Sequence, residues 1–203
     1  MPNSTITDVA GLRELYAEPT GAVAKKLQTK LDEHYHRFIA ASPFLVLRTS
    51  GDVSPRGNHL GFVQVLDDNT VLLPDRRGSN LIDSFQNIVK DLTVSLFFFI
   101  PRINETLCLR GEAEIVADTA LLEPHAVNGK MPASGLKIHV REALMHCAKA
   151  IMRSKLWDPS SQLDHKEFAA TKIIAAHTNS EYEALHNSYE KGMADAMAEE
   201  GRE

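Results

Sequence analysis

The chain has 203 residues, 43% hydrophobic and 24% charged, with a formal net charge of −5, a composition that suits one ordinary globular domain with its own core. From Glu181 onward seven acidic residues stand against two basic ones, so residues 1–180 balance at 20 of each sign, which disfavours a broad nucleic-acid surface. No apolar run approaches the ~20 residues that span a bilayer. Residues 1–11 lack the basic start and apolar stretch of a secretory signal, and Cys108 and Cys147 are too few for a disulfide scaffold, so the expectation is a cytoplasmic protein bound to neither membrane nor nucleic acid.

In chain order, Leu27, Leu31, Tyr35 (or His34) and Phe38 recur at helical spacing and predict a helix from Ala22 to Ala41. Pro43 to Ser50 reads as a short apolar strand closed by a Gly51-Asp52 turn, and Ser54 to Asn58 as a loop. His59 to Leu66 is a second strand and Thr70 to Leu73 a third, with Asp67-Asp68-Asn69 turning between them. A loop from Pro74 to Ser79 leads to a helix over Asn80 to Val89, on which Leu81, Ile82, Phe85 and Ile88 share a face. Two longer strands follow, Thr93 to Ile100 and Glu105 to Ala117. In the second, Leu107, Leu109, Gly111, Ala113 and Ile115 alternate with other residues, as suits a strand with one wet face. A short helix near Thr119 to His125 and a loop over Asn128 to Gly135 precede a strand from Leu136 to Val140, which leads into a helix ending at Asp158-Pro159. Tyr182, Leu185, Tyr189 and Met193, at spacings of three and four, predict an amphipathic helix in the acidic tail. Short strands in hairpin sequence favour an antiparallel barrel over a parallel α/β sheet.

Three segments hold residues suited to an anionic ligand. The first is Leu73-Pro74-Asp75-Arg76-Arg77-Gly78-Ser79-Asn80, a strand-to-helix loop whose arginines offer planar forks of donors matching phosphate oxygens. Ser79 and Asn80 stand where a helix start adds backbone N–H groups. The same residues also fit a solvated turn with Ser79 as a plain cap. The second is Ser54-Pro55-Arg56-Gly57-Asn58, where Gly57 permits a close ligand approach and Arg56 can converge with Arg76 and Arg77 on one anion; alone it also reads as a bland turn. The third is the predicted helix with His146, Lys149, Arg153 and Trp157, which at helical spacing fall within an arc of about 80°. A basic stripe ending in an aromatic can hold an anion and stack on a ring, or be an exposed face with Trp157 closing the core. The remaining histidines are dispersed, there is no HExxH, GxSxG, GxGxxG or GxxxxGK[ST], and Cys108 reads as a core residue.

Taken in chain order, these three segments, with Asp83-Ser84 following Leu73 to Asn80 and Arg153-Ser-Lys-Leu-Trp-Asp-Pro159 at the end of the helical one, resemble the pyridoxamine 5′-phosphate oxidase-like, FMN-binding split-barrel proteins. The resemblance is to a bacterial subgroup of predicted flavin-nucleotide-binding proteins and spans Pro43 to Pro159. It implies a mainly β fold with flanking helices: a six-stranded antiparallel split β-barrel over residues 43–160, an N-terminal helical extension over 1–42 and a C-terminal helical tail over 161–203. It further implies a homodimer with FMN in the interface clefts. Ser54, Pro55, Arg56, Gly57, Arg76, Arg77, Ser79 and Asn80 would then bind the cofactor, and Lys149, Arg153 and Trp157 would reach it, across the dimer in one arrangement. Leu81 stands where relatives commonly carry arginine, which removes one positive charge near the phosphate.

The activity so implied is FMN-dependent oxidoreduction of an unidentified small molecule, with NAD(P)H as a possible reductant and His59 and His146 as the acid or base candidates. The alternatives are a non-catalytic flavin-binding or sensing protein, and a split barrel that uses haem or a deazaflavin. No counterpart of the substrate-binding C-terminal segment of true pyridoxamine-phosphate oxidases is present, so oxidation of vitamin B6 does not follow from the fold.

Overall fold

The structure is a computed structural model that describes residues 5–76, 78, 80–164 and 168–199. Its centre is one antiparallel sheet of seven strands: β1 (Phe44–Arg48), β2 (Val53–Gly57), β3 (Gln64–Asp67), β4 (Thr70–Pro74), β5 (Thr93–Phe99), β6 (Thr106–Val116) and β7 (Gly135–His146). They lie in the order β2-β1-β5-β6-β7-β4-β3. This is the antiparallel sheet with flanking helices expected of a split barrel, with seven strands rather than six.

The additional strand is β2, the segment read from sequence as a loop because it holds Pro55 and Gly57. Proline lacks the N–H that a central strand must donate, but an edge strand has one side without a neighbour. At the sheet edge Pro55 pairs opposite Val46 and Gly57 opposite Phe44. Conversely, the strand read over His59 to Leu66 is confined to Gln64–Asp67.

Alternation sorts the two faces. Leu45 and Leu47 of β1, Val94, Leu96 and Phe98 of β5, and Leu107, Leu109 and Ala113 of β6 are buried in a single core cluster. Two helices close it. α2 (Glu33–Ala41) begins where the Asp32 carboxylate accepts from the Tyr35 N–H at 3.0 Å, satisfying one of the free donors of a helix start, and buries Tyr35 and Ile39. The predicted helix from Ala22 is shorter than its periodicity suggested. A 3₁₀ turn occupies Gly21–Lys25, and Gln28 then forms a bridge to Ala143 of β7, exchanging backbone hydrogen bonds of 2.9 and 2.8 Å. α3 (Asp83–Lys90), between β4 and β5, buries Ser84 and Ile88. It starts three residues after Asn80, because Asn80 and Ile82 hold left-handed backbone angles, φ 60° and 50°, that no right-handed helix can include.

Beyond the sheet lie α1 (Val9–Leu15), α4 (Thr119–Leu122), α5 (Lys149–Ser154), α6 (Ala170–Thr178) and α7 (Tyr182–Glu199). Among the described residues no helix is long and apolar enough to cross a membrane.

β6 and β7 change register between Arg110 and Gly111. There a Cβ on Gly111 would collide with the carbonyl oxygen of His139 and stand 2.9 Å from its carbonyl carbon. Gly111→Ala must therefore push two long strands apart at their junction, and should cost about 2–4 kcal/mol. Urea unfolding of the two proteins measures this directly, and an unchanged midpoint would show that the strands can part freely.

Candidate functional site

A cavity of about 620 Å³ opens where the edge strand β2 meets the end of β4, the segment leading into α3 and the loop after α4. That size lies within the range of small-molecule sites. Asp52, Ser54, Pro55 and Arg56 line one wall, Asp75, Arg76, Gly78 and Asn80 a second, and Leu81 to Phe85 a third. Val127, Lys130, Met131, Pro132 and Ala133 form the opposite side, joined by Ala196 and Glu199 from the last turn of α7.

The Arg56 guanidinium is held from two sides of the wall. Its Nη2 donates to Ser84 Oγ at 3.1 Å, and its Nη1 lies 3.6 Å from an Asp75 carboxylate oxygen. Ser84 Oγ donates in turn to Asp52 at 2.8 Å and touches Ser54 Oγ at 3.0 Å. A hydroxyl has one proton and two lone pairs, so Ser84 is fully used: it donates to Asp52 and accepts from Arg56 and Ser54. Arg56 Nε is buried without a hydrogen-bond partner among the described residues. Burial raises the Asp75 pKa above the usual carboxylate value, against the pull of Arg56 and Arg76.

Arg76 Nη2 donates to the carbonyl of His125 at 3.0 Å, and the His125 ring bonds Gln64 Oε1 at 2.8 Å. Burial, with the nearby charges of Arg76 and His59, lowers the His125 pKa. The loop after α4 thus fixes one arginine while α3 fixes the other.

Of the residues singled out from sequence, the structure brings Ser54, Pro55, Arg56, Arg76 and Asn80 to this cavity. Gly57 lies beside it, in a 40 Å³ pocket shared with Arg56, Asp75 and Arg76. Arg77 and Ser79 lie outside the described residues. Lys149, Arg153 and Trp157 do not line the cavity, and the helix imagined to carry them with His146 does not exist as such. β7 runs on to His146, α5 covers only Lys149–Ser154, and Trp157 follows it, its indole N–H donating to the Ile103 carbonyl at 2.8 Å. The strand continues because Thr106 to Arg110 of β6 offers it a partner as far as His146. Asp52, Ser84 and Lys130 were not among the expected site residues, although Ser84 belongs to the segments that carry the resemblance. Asp52 reads as turn chemistry and Ser84 as one polar helix residue; only the folded arrangement gives them a common partner.

The sheet's other face is apolar at the β1–β5 end. Phe97 and Phe99 meet edge to face at 5.1 Å, Phe44 packs on Phe99 at 5.9 Å, and the His146 ring lies 5.2 Å from Phe97. Ion pairs between Arg110 and Glu142 and between Arg141 and Glu112 flank this patch. Among the described residues no group of three or more His, Cys, Asp or Glu side chains is arranged to hold a metal ion.

A family model for pyridoxamine 5′-phosphate oxidase matches residues 31–147. The chain belongs to that family. The matched span holds all seven strands with α2 and α3, and it includes both arginine-bearing walls of the cavity. Solved structures similar to this pyridoxamine 5′-phosphate oxidase family chain include HupZ of Group A Streptococcus, at 15% identity over 56% of this chain and 91% of HupZ, TM-score 0.46. An FMN-binding protein of Syntrophomonas wolfei is 10% identical over 57% of this chain and 88% of its own, TM-score 0.42. An FAD-binding protein of Mycobacterium smegmatis is 16% identical over 59% and 97%, TM-score 0.39. No curated protein matches the chain.

Replacing Ser84 by alanine leaves Asp52 and Arg56 each short of a partner in a half-buried setting. The loss should be about 1–3 kcal/mol, read as a lower urea midpoint, and an unaltered midpoint would mean that both side chains re-pair without it.

Proposed function

We propose that this member of the pyridoxamine 5′-phosphate oxidase family is a flavoprotein that binds FMN in the cavity between β2 and α3. The observation that carries this reading is the convergence of Arg56 and Arg76, held by separate elements, on one cavity large enough for a nucleotide. Their guanidinium groups suit the forked geometry of a phosphate, and Arg77, Ser79 and the amide of Asn80 belong to the same proposed contact set. Leu81, exposed at the wall, offers an apolar surface where relatives commonly place another cation. Bound there, FMN would supply hydride or electron transfer, with NAD(P)H the proposed reductant and a small molecule the acceptor.

The working unit proposed is a cytoplasmic homodimer joined through the outer face of the sheet. The aromatic cluster of Phe44, Phe97 and Phe99, rimmed by ion pairs, has the apolar centre and polar margin of a protein interface. α5 starts three residues after His146, at the border of that cluster. This supports Lys149, Arg153 and Trp157 serving the cavity of the other copy rather than their own.

A non-catalytic flavin binder is favoured by one feature. Asp52 and Asp75 in the cavity wall are engaged with Ser84 and Arg56, and neither His59 nor His146 lines the cavity. Reduction of the bound flavin by NAD(P)H followed by turnover with an acceptor distinguishes enzyme from binder.

Purified protein should be yellow or take up FMN in a fluorescence-quenching titration. Arg56→Ala, and separately Arg76→Ala with Arg77→Ala, should each weaken binding more than about tenfold, since a charged hydrogen bond contributes about 1.5–3 kcal/mol. A colourless protein that takes up no FMN would sink the proposal. For the dimer, Phe97→Asp should halve the mass seen by light scattering, whereas an unchanged mass removes this face as the interface.

A further inference from the structure

The acidic tail has a place in the same cavity. α7 is 18 residues long and buries none of them. Its first turns are tied to α6 through His186, whose Nδ1 lies 3.3 Å from Thr171 Oγ1 and whose ring stacks at 5.4 Å on Tyr182 of the same helix. Between the helices the chain reverses at Asn179, whose φ of 52° ends α6. The middle of α7 is uncovered, with Tyr189 and Met193 more than 40% exposed although they continue the apolar stripe. At its far described end the helix touches the body again. There Ala196 and Glu199 join the lining of the cavity that holds Arg56 and Arg76. The Glu199 carboxylate lies 3.3 Å from Lys130 Nζ, and its backbone carbonyl accepts from Asn128 Nδ2 at 2.9 Å.

There the Glu199 carboxylate meets its counter-charge on Lys130, and Arg56 and Arg76 line the same cavity. A phosphate-bearing ligand supplies negative charge to the same place and competes for the same cations.

We infer that the described end of α7 is a self-inhibitory lid: docked on Lys130 and Asn128 it covers the cavity that holds Arg56 and Arg76, and a bound phosphate-bearing ligand displaces it. That the ligand is FMN rests on the function proposed above; the docking and its competition with anions do not. A helix with no buried side chain, held at two ends, opens at low cost compared with the core. Coupling between two bound groups is reciprocal, so whatever the ligand does to the tail, the tail does to ligand affinity.

Hydrogen exchange of the full chain, followed by mass spectrometry over residues 187–199, tests this with two anions, FMN and inorganic pyrophosphate. Glu199→Gln should accelerate exchange there severalfold in the free protein, and either anion should do the same to the unaltered chain. Glu199→Gln should also bind FMN at least about threefold more tightly, as reciprocity requires. Binding of FMN with unchanged or slower exchange of α7 overturns the lid and leaves the flavin reading standing. No uptake of FMN with faster exchange in pyrophosphate upholds the lid and overturns the flavin reading. No response of α7 to either anion, or to loss of the Glu199 charge, overturns the lid.

Discussion

Arg56 ties the curl of the sheet to the chemistry of the cavity. Four strands separate β2 from β4 in the sheet order, yet Arg56 on β2 reaches Asp75, the residue immediately after β4, at 3.6 Å. Only a strongly coiled sheet brings its first and sixth strands together. α3 fills the gap between them, presenting Ser84 to both Arg56 and Ser54. Half-buried ion pairs are weak sources of stability, because desolvation cancels much of the attraction. Here the pair fixes geometry: it sets how far β2 stands from β4, and so how wide the cavity opens.

The sequence made the antiparallel sheet legible because the core strands carry their burial in alternation. Val94, Leu96 and Phe98 point inward while Ser95, Phe97 and Phe99 point outward, and no tertiary knowledge is needed to see that period. β2 was hidden for the opposite reason. Val53-Ser-Pro-Arg-Gly57 has loop residues and no apolar alternation, and it is a strand only because an edge position frees Pro55 from donating a hydrogen bond. Its two sides still differ, Ser54 and Arg56 turning toward α3 while Pro55 and Gly57 pair above Phe44 and Val46.

The site was legible in its cations and illegible in their supports. Arginines beside prolines and glycines between strands drew attention to Arg56 and Arg76 from spacing alone. Nothing in the spacing could show that Ser84 bridges Arg56 to Asp52, or that the His125 carbonyl holds Arg76, since those partners lie 28 and 49 residues away in the chain. The continuous helix drawn through the basic stripe ending in Trp157 failed differently. A helical period was read across His146 to Trp157, but the available edge of β6 carried β7 through to His146 first. A pairing partner outweighed local periodicity, as tertiary context commonly does.

These arrangements account for how arginines are kept in the wall of a cavity of mixed charge, where Arg56, Arg76 and Lys130 stand with Asp52, Asp75, Asp83 and Glu199. Arg56 and Arg76 are both partly buried, and a buried charge without a counter-charge is costly. Asp75 offsets Arg56 from within the wall, and its raised pKa shows that burial outweighs the attraction of the arginines for its charged form. Glu199 pairs with Lys130 at the exposed rim, from a tail that concentrates the chain's surplus negative charge. A phosphate bound as proposed would exchange one anionic partner for another. Its affinity would be the difference between the two sets of contacts, set by the chain's own carboxylates as well as by its arginines.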